Sequence, residues 1–302
     1  MASDISLWTA PAEGQLPVAG IDAALSTFSQ VESSCTRFNP SSPLMRANDD
    51  PHLWHEVPET TYRALQEAYQ AYDRTQGRFD PRVFGDLVRL GYDRSLPFET
   101  REVVTPNSDR AGRSLPVWHP QFRCGPPWMV HLGGLPIDLG GIGKGLAARW
   151  AAERLNGLLD AYLIDAGGDC ICRGNGPDGN GWRVGVEDPC GGEEPLVVLE
   201  LRDVACATSS IRLRQWCSGG RRVHHLIDPR TGEPGGSGLL AVTVVSEDPA
   251  NAEVLSKSLF LSGREGISSS AHGSDVAALW VDSSGAASEA RSLAPHVIWR
   301  RT

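Results

Sequence analysis

Glycine is spread unevenly along this chain. Of 33 glycines, 16 stand in residues 133–192, whereas residues 1–128 hold only 7. The excess is therefore not low complexity. It marks stretches where backbone must turn tightly or come close to something. The densest stretch is Ile137-Asp138-Leu139-Gly140-Gly141-Ile142-Gly143-Lys144-Gly145. The run Leu135–Leu139 before it has strand character, and a helical pattern follows over Gly143–Leu159. The expected order is thus strand, glycine turn, helix start. Backbone N–H groups at a helix N-terminus favour an anion, and Lys144 adds a mobile positive charge. Two readings stand side by side: a phosphate-binding turn, or a tight strand-to-helix turn with Lys144 merely solvated. It is not a Walker A loop, because Asp138 occupies the first glycine position and Gly145 the Ser/Thr position. Nor does it fit G-x-G-x-x-G, where Leu146 takes the last glycine position.

Composition narrows the class. A chain of 302 residues permits one large domain or two ordinary ones. Lys plus Arg is 28 and Asp plus Glu is 37, so the net charge is −9. That balance lacks the basic footprint of general nucleic-acid binding. Hydrophobic residues at 40% and charged residues at 22% suit a globular protein. Apolar runs such as Leu239–Val242 fall far short of the ~20 residues of a membrane span. Met1–Ala10 carries no Lys or Arg and no apolar core, so no secretory signal is expected. The 7 cysteines are an odd, scattered set. The close pair Cys170 and Cys172 lies on an expected strand, with no second pair at zinc-ligand spacing. Reduced, mostly buried thiols in a cytoplasmic protein are expected.

The first 128 residues read as mainly helical. Apolar spacing predicts helices over 20–34 and 58–74 and a third element from Phe79. Residues 96–128 read as a long polar connection. From 129 to 302 short β-type runs recur: Ala161–Ile164, Trp182–Glu187, Leu196–Leu201, Val204–Thr208, Arg222–Ile227, Leu240–Val245 and Ala277–Val281. Helices are expected at Gly143–Leu159 and Pro249–Leu261. The fold class is α+β, with a largely antiparallel sheet and flanking helices. The two parts, 1–128 and 129–302, are expected to form one continuous catalytic unit.

Four further constellations carry polar chemistry. In Asp165-Ala166-Gly167-Gly168-Asp169 two carboxylates flank a glycine turn at a strand end, suited either to a ligand or to capping the turn. In Trp182-Arg183-Val184-Gly185-Val186 alternation sets Arg183 apart from the apolar face, as a phosphate clamp or a surface charge. Thr208 and Ser209 end one strand, and His225 precedes the turn Asp228-Pro229-Arg230-Thr231-Gly232. His225 is either functional or a hydrogen-bonded core residue. No G-x-S-x-G elbow accompanies Ser209, which argues against a serine hydrolase. Finally, Glu253 and Lys257 are spaced i, i+4 on one helix, the geometry of an ion pair.

Taken in order, D-L-G-G-I-G-K-G, D-A-G-G-D, W-R-V-G-V-E-D-P, A-T-S-S, H-L-I-D-P-R-T-G and A-E-V-L-S-K resemble the ApbE family of FAD:protein FMN transferases. Asp4-Ile5-Ser6-Leu7 is similar to the family's opening strand. Phe38-Asn39-Pro40 through Arg46-Ala47-Asn48 resembles its first ligand loop, and Gly77-Arg78-Phe79-Asp80-Pro81 its G-x-F-D-P. The likeness covers roughly residues 1–282. It implies an ApbE-like fold related to the T-fold. It also implies an enzyme that splits FAD, moves the FMN half onto a Thr or Ser hydroxyl of a target protein with a D-x-x-[ST]-G-A-like motif, and releases AMP. The implied FAD contacts are Asp138, Gly140, Gly141, Lys144, Asp165, Gly167, Gly168, Arg183, Thr208, Ser209 and Asp228. His225 and Asp169 are the implied catalytic groups, and Lys257, at a position the family gives to Thr, is a third candidate.

The resemblance also implies Mg2+, held by a backbone carbonyl at Gly143 and by an Asp and a Thr. Here the Asp position holds Glu253 and the Thr position Lys257. A charged lysine cannot be a metal ligand. Either Lys257 replaces the metal with Glu253 orienting it, or Glu253 still binds Mg2+ and Lys257 turns to a phosphate, or activity is lost. A non-catalytic flavin-binding protein and an FAD pyrophosphatase are the alternative functions.

Overall fold

The computed structural model describes residues 4–10, 16–95 and 115–301. Contacts divide the chain into two compact units, each drawing on residues from both sides of position 128. One comprises Ser29–Gly143 with Leu213–Gly235; the other comprises Ser3–Phe28, Lys144–Arg212 and Gly236–Thr302.

The second unit is built on a seven-stranded sheet. Its strands are Ile5–Thr9, Tyr162–Ala166, Cys170–Arg173, Ala205–Ser210, Leu239–Ser246, Ala277–Asp282 and Ala287–Glu289, in that spatial order. Spatial order follows chain order and every neighbouring pair is antiparallel. The largely antiparallel α+β architecture is as the sequence implied. A three-stranded sheet of Val297–Arg300, Val197–Leu201 and Trp182–Val186 completes the strands of this unit. The core beneath includes Leu163, Trp182, Leu199, Leu201, Leu279, Val281 and Leu293. Cys170, Cys172 and Cys206 are packed in the same core as free thiols. The helix Pro249–Phe260 starts at Asp248, whose carboxylate accepts from the Asn251 N–H at 2.8 Å, with Pro249 in the first turn. Both choices are favourable at a helix start. Arg149 fixes Asp248 in turn through two hydrogen bonds of 2.6 and 2.7 Å.

The first unit has the expected helix at Glu59–Arg74, with Tyr62, Ala64, Leu65, Ala68 and Ala71 buried. Tyr62, Tyr69 and Tyr72 gather Trp118, Phe122 and Trp128 into an aromatic cluster. The Trp118 indole N–H is satisfied by the Leu132 carbonyl at 2.7 Å. Part of the expected polar connection, residues 96–114, lies outside the described residues. A short strand, Gln121–Arg123, lies in what remains of it.

One expected element is absent. Leu135–Leu139 is not a strand. Its backbone is paired with a side chain instead: the Asn48 amide donates to the Ile137 carbonyl and accepts from the Ile137 N–H, both at 2.8 Å. The Asp138 N–H goes to the Pro81 carbonyl at 2.8 Å. The chain is extended there, but an amide side chain and a loop take the place of a partner strand. The short helix Pro43–Asp49, which carries Asn48, was not expected from the sequence pattern.

Candidate functional site

The glycine turn is closed by its own residues. Asp138 accepts from the Gly140 N–H at 3.0 Å, and the Gly143 N–H reaches the Leu139 carbonyl at 2.8 Å. Asp138 is itself 3.5 Å from the Arg37 guanidinium. Arg37 is buried, packed over the Phe38 and Tyr92 rings, and was not singled out in the sequence although it immediately precedes Phe38. Asp138, Gly140, Gly141 and Gly143 belong to the first unit.

At Lys144 the chain enters the second unit, and there two carboxylates meet one helix start. The Lys144 ammonium pairs with Asp169, whose other carboxylate oxygen accepts from the Thr208 N–H at 2.9 Å. One residue on, the Gly145 N–H donates to Glu253 Oε2 at 2.9 Å. Glu253 Oε1 lies 3.3 Å from Lys257 Nζ. Glu253 is 1% exposed and Asp169 is 4% exposed. A buried carboxylate needs such partners, since desolvation otherwise favours its neutral form. The helix Gly143–Leu155 thus opens on two acid–lysine pairs, Asp169–Lys144 and Glu253–Lys257.

Gly145 owes its identity to packing. A Cβ there would sit 2.5 Å from both the Ala250 Cα and the Pro249 carbonyl oxygen, so the two helix starts touch backbone to backbone. At Gly143 a Cβ would meet nothing within 4 Å. The backbone crowding that glycine relieves here is therefore at Gly145, and Gly143 fronts open space.

Hydroxyls lock the surrounding elements. Thr208 shares a hydrogen bond with Thr243 at 2.9 Å across neighbouring strands. Ser209, on the opposite face, bonds Ser256 at 2.8 Å, and Ser256 donates to the Glu253 carbonyl at 2.9 Å. Thr243 and Ser256 were not singled out in the sequence; both sit in regular apolar patterns that hid them. In the 165–169 turn, Gly167 and Gly168 both have positive φ, and the Gly168 N–H is accepted by Asp165 at 2.8 Å. Burial pushes the Asp165 carboxyl above the usual range, against that hydrogen bond.

Two remaining candidates lie in the first unit and one on the surface of the second. His225 follows the strand Arg221–His224, and its N–H donates to the Arg214 carbonyl at 3.3 Å. Asp228 is held by the Arg230 backbone N–H at 2.9 Å and by its guanidinium at 3.1 and 2.7 Å. Burial pushes its carboxyl up, but those hydrogen bonds leave it below the ordinary value. Arg183 is exposed and paired with Asp178 at 3.3 Å. Spacing alone had allowed that surface reading, and among the described residues no hydrogen bond or ion pair joins it to the buried pairs.

The donor set does not suit a divalent cation. Glu253 has committed one oxygen to an N–H and the other to an ammonium. Among the described residues no group of three or more His, Cys, Asp or Glu is arranged to hold a metal. Hard cations such as Mg2+ take oxygen ligands, and the Lys257 ammonium has no lone pair to offer one.

The ApbE family model matches residues 1–280. An FAD:protein FMN transferase of Treponema pallidum is 30% identical over 233 residues, 69% of this chain and 61% of that protein. The namesake of Vibrio cholerae is 28% identical over 243 residues, 78% of this chain and 71% of that protein. The chain thus spans about three fifths of the length of the Treponema relative. Among solved structures, a mutant of flavin transferase ApbE from Vibrio cholerae superposes with a TM-score of 0.77 at 21% identity, covering 98% of this chain and 96% of that one. The ApbE protein of Thermotoga maritima gives 0.75 at 23% identity, covering 98% and 100%. With the motif order, the antiparallel fold and a family match over nearly its whole length in agreement, the chain belongs to the ApbE family.

Proposed function

We propose that this chain is an FAD:protein FMN transferase. The observation that carries the proposal is the buried Lys144–Asp169 and Gly145–Glu253–Lys257 arrangement at the start of the helix that follows the glycine turn. Lysines fixed by buried carboxylates present positive charge in a set place, which is what a pyrophosphate needs. The relatives named for this reaction support the same reading.

In the proposed reaction an acceptor Thr or Ser oxygen attacks the FMN-side phosphorus of FAD. A phosphoester bond forms, and the bond from that phosphorus to the bridging oxygen breaks. AMP leaves with the electron pair, and the hydroxyl proton passes to a base; the resemblance implies that His225 either contacts the phosphates or acts in this proton transfer. Positioning and charge neutralisation carry most phosphoryl-transfer catalysis, so no protein nucleophile is required. Lys144 is assigned to the pyrophosphate, with Asp169 and Thr208 setting its position. Ser209 acts through Ser256 on the Glu253 helix. The resemblance also implies FAD contacts at the 165–169 turn, Asp138, the turn glycines and Asp228. The family resemblance implies Mg2+ with Gly143 and Glu253 as its ligands; since the Lys257 ammonium pairs with Glu253 and stands where a Thr ligand is implied, no step is routed through a metal.

The acceptor is proposed to be a protein with a D-x-x-[ST]-G-A-like segment. No helix among the described residues is long and apolar enough to cross a membrane. All seven cysteines are free and four are buried, which suits a reducing compartment, and the cytoplasm is the proposed location.

The test is incubation with FAD and an acceptor peptide carrying that segment. Covalent flavin on the peptide with AMP is the expected result. AMP with only free FMN would assign a pyrophosphatase instead, and intact FAD a flavin-binding protein.

A further inference from the structure

We infer that Lys257, held by Glu253, fills the charge-neutralising place that a divalent cation would otherwise take, so that this chain engages the FAD pyrophosphate without a metal there. The inference rests on the transferase reading of the site.

Glu253 is fully buried, and its two oxygens are divided between the Gly145 N–H at 2.9 Å and the Lys257 ammonium at 3.3 Å. A metal at this carboxylate would share it with the Lys257 ammonium, a like charge 3.3 Å from Oε1. Glutamate matters here: its extra methylene, relative to the aspartate the family resemblance implies, lets one oxygen reach across to the neighbouring helix start. The ammonium is on the same helix face one turn later, at i+4. Its carboxylate contact is longer than the ~2.7–2.9 Å of a tight charge-assisted bond. Among the described residues, one of its three N–H donors is engaged, by Glu253. Its side chain keeps 17% exposure, enough for a bound anion to reach it.

The helix that carries the pair is fixed independently. Ser256 ties it to Ser209 at 2.8 Å, and Asp248 caps its start. Lys257 is thereby presented as a fixed monovalent cation, paired with the same carboxylate that accepts from Gly145, the residue after Lys144. Together the two lysines oppose the pyrophosphate charge. When the bridging bond breaks, the electron pair leaves on the AMP phosphate, and the Lys257 ammonium neutralises the charge gained there without giving up its proton.

The primary readout is Mn2+ paramagnetic resonance of the full chain, alone and with FAD, against an FAD-only control. The expected result is no protein-dependent loss of the free Mn2+ signal. The double variant Glu253→Asp with Lys257→Thr is expected to take up Mn2+. In parallel, FAD affinity is read from flavin fluorescence in EDTA and in excess Mg2+. It is expected to be the same in both for the unaltered chain. Lys257→Met is expected to weaken it by about tenfold or more, and Lys257→Arg by less. Circular dichroism on each variant establishes that it is folded. Stoichiometric Mn2+ uptake by the unaltered chain, or FAD binding lost in EDTA and restored by Mg2+, would overturn the inference while leaving the transferase reading intact. Failure to bind FAD in either condition would overturn both.

Discussion

At the scale of single residues, neighbours one or two positions apart have unlike jobs. Gly145 has no room for a side chain, because a Cβ would strike the backbone of Pro249 and Ala250. Gly143 has room. Gly145→Ala should therefore cost about 1–3 kcal/mol of stability, the usual penalty of overpacking. Gly143→Ala should leave urea unfolding unchanged or slightly improved, since alanine favours the helix. If Gly143 backs onto ligand as proposed, that variant will still bind FAD more weakly. Equal loss of stability in both variants would refute the distinction. A second prediction concerns Asp169, which holds both Lys144 and the Thr208 N–H. Asp169→Ala should lower stability by about 1–3 kcal/mol by denaturant titration, reduced from the fully buried case because Lys144 retains some exposure. Lys144, Asp169, Glu253 and Lys257 were each legible in the sequence as chemistry-bearing. The Glu253–Lys257 pair was legible too, being local. The Lys144–Asp169 and Gly145–Glu253 contacts were not, because they span 25 and 108 positions and only the folded sheet and helices bring them together.

At the scale of elements, helices and strands with a clear period were readable within a few residues. The helix expected over 20–34 runs Val18–Cys35, and Pro249–Leu261 is found as Pro249–Phe260. Leu135–Leu139 failed because a strand is defined by its partner, and the partner here is one amide side chain. Asn48→Ala should accordingly be costly. It strands a buried N–H and a buried carbonyl on Ile137, each worth about 1–3 kcal/mol. A fall in thermal midpoint far beyond that of an exposed Asn→Ala control is the expected result. The strand Arg221–His224 carries a pH prediction. Burial pushes His224 from 6.5 down to about 4, so the folded chain keeps it neutral where the unfolded chain takes a proton. The stabilising difference is present above pH 6.5 and is lost as pH falls towards 4. His224→Gln should flatten the decline of stability across that window, read from unfolding midpoints at successive pH values.

At the scale of the molecule, a −9 chain is assigned a doubly anionic ligand group, and the conflict is resolved locally. In the proposed reading, Asp169 and Glu253 fix the lysines that would meet the ligand. The glycine excess resolves the same way, into turns with positive φ at Gly167 and Gly168, a helix–helix contact at Gly145 and an open position at Gly143. The α+β class and family were legible because six motifs occur in fixed order. The composition of the two units was not, because each unit is assembled from separated stretches of chain. The central claim is transfer of FMN to a protein hydroxyl, and product stoichiometry tests it most directly. With FAD and an acceptor peptide containing D-x-x-[ST]-G-A, each AMP released should be matched by one flavin covalently attached at the Thr or Ser. AMP released with free FMN and an unmodified peptide would contradict it.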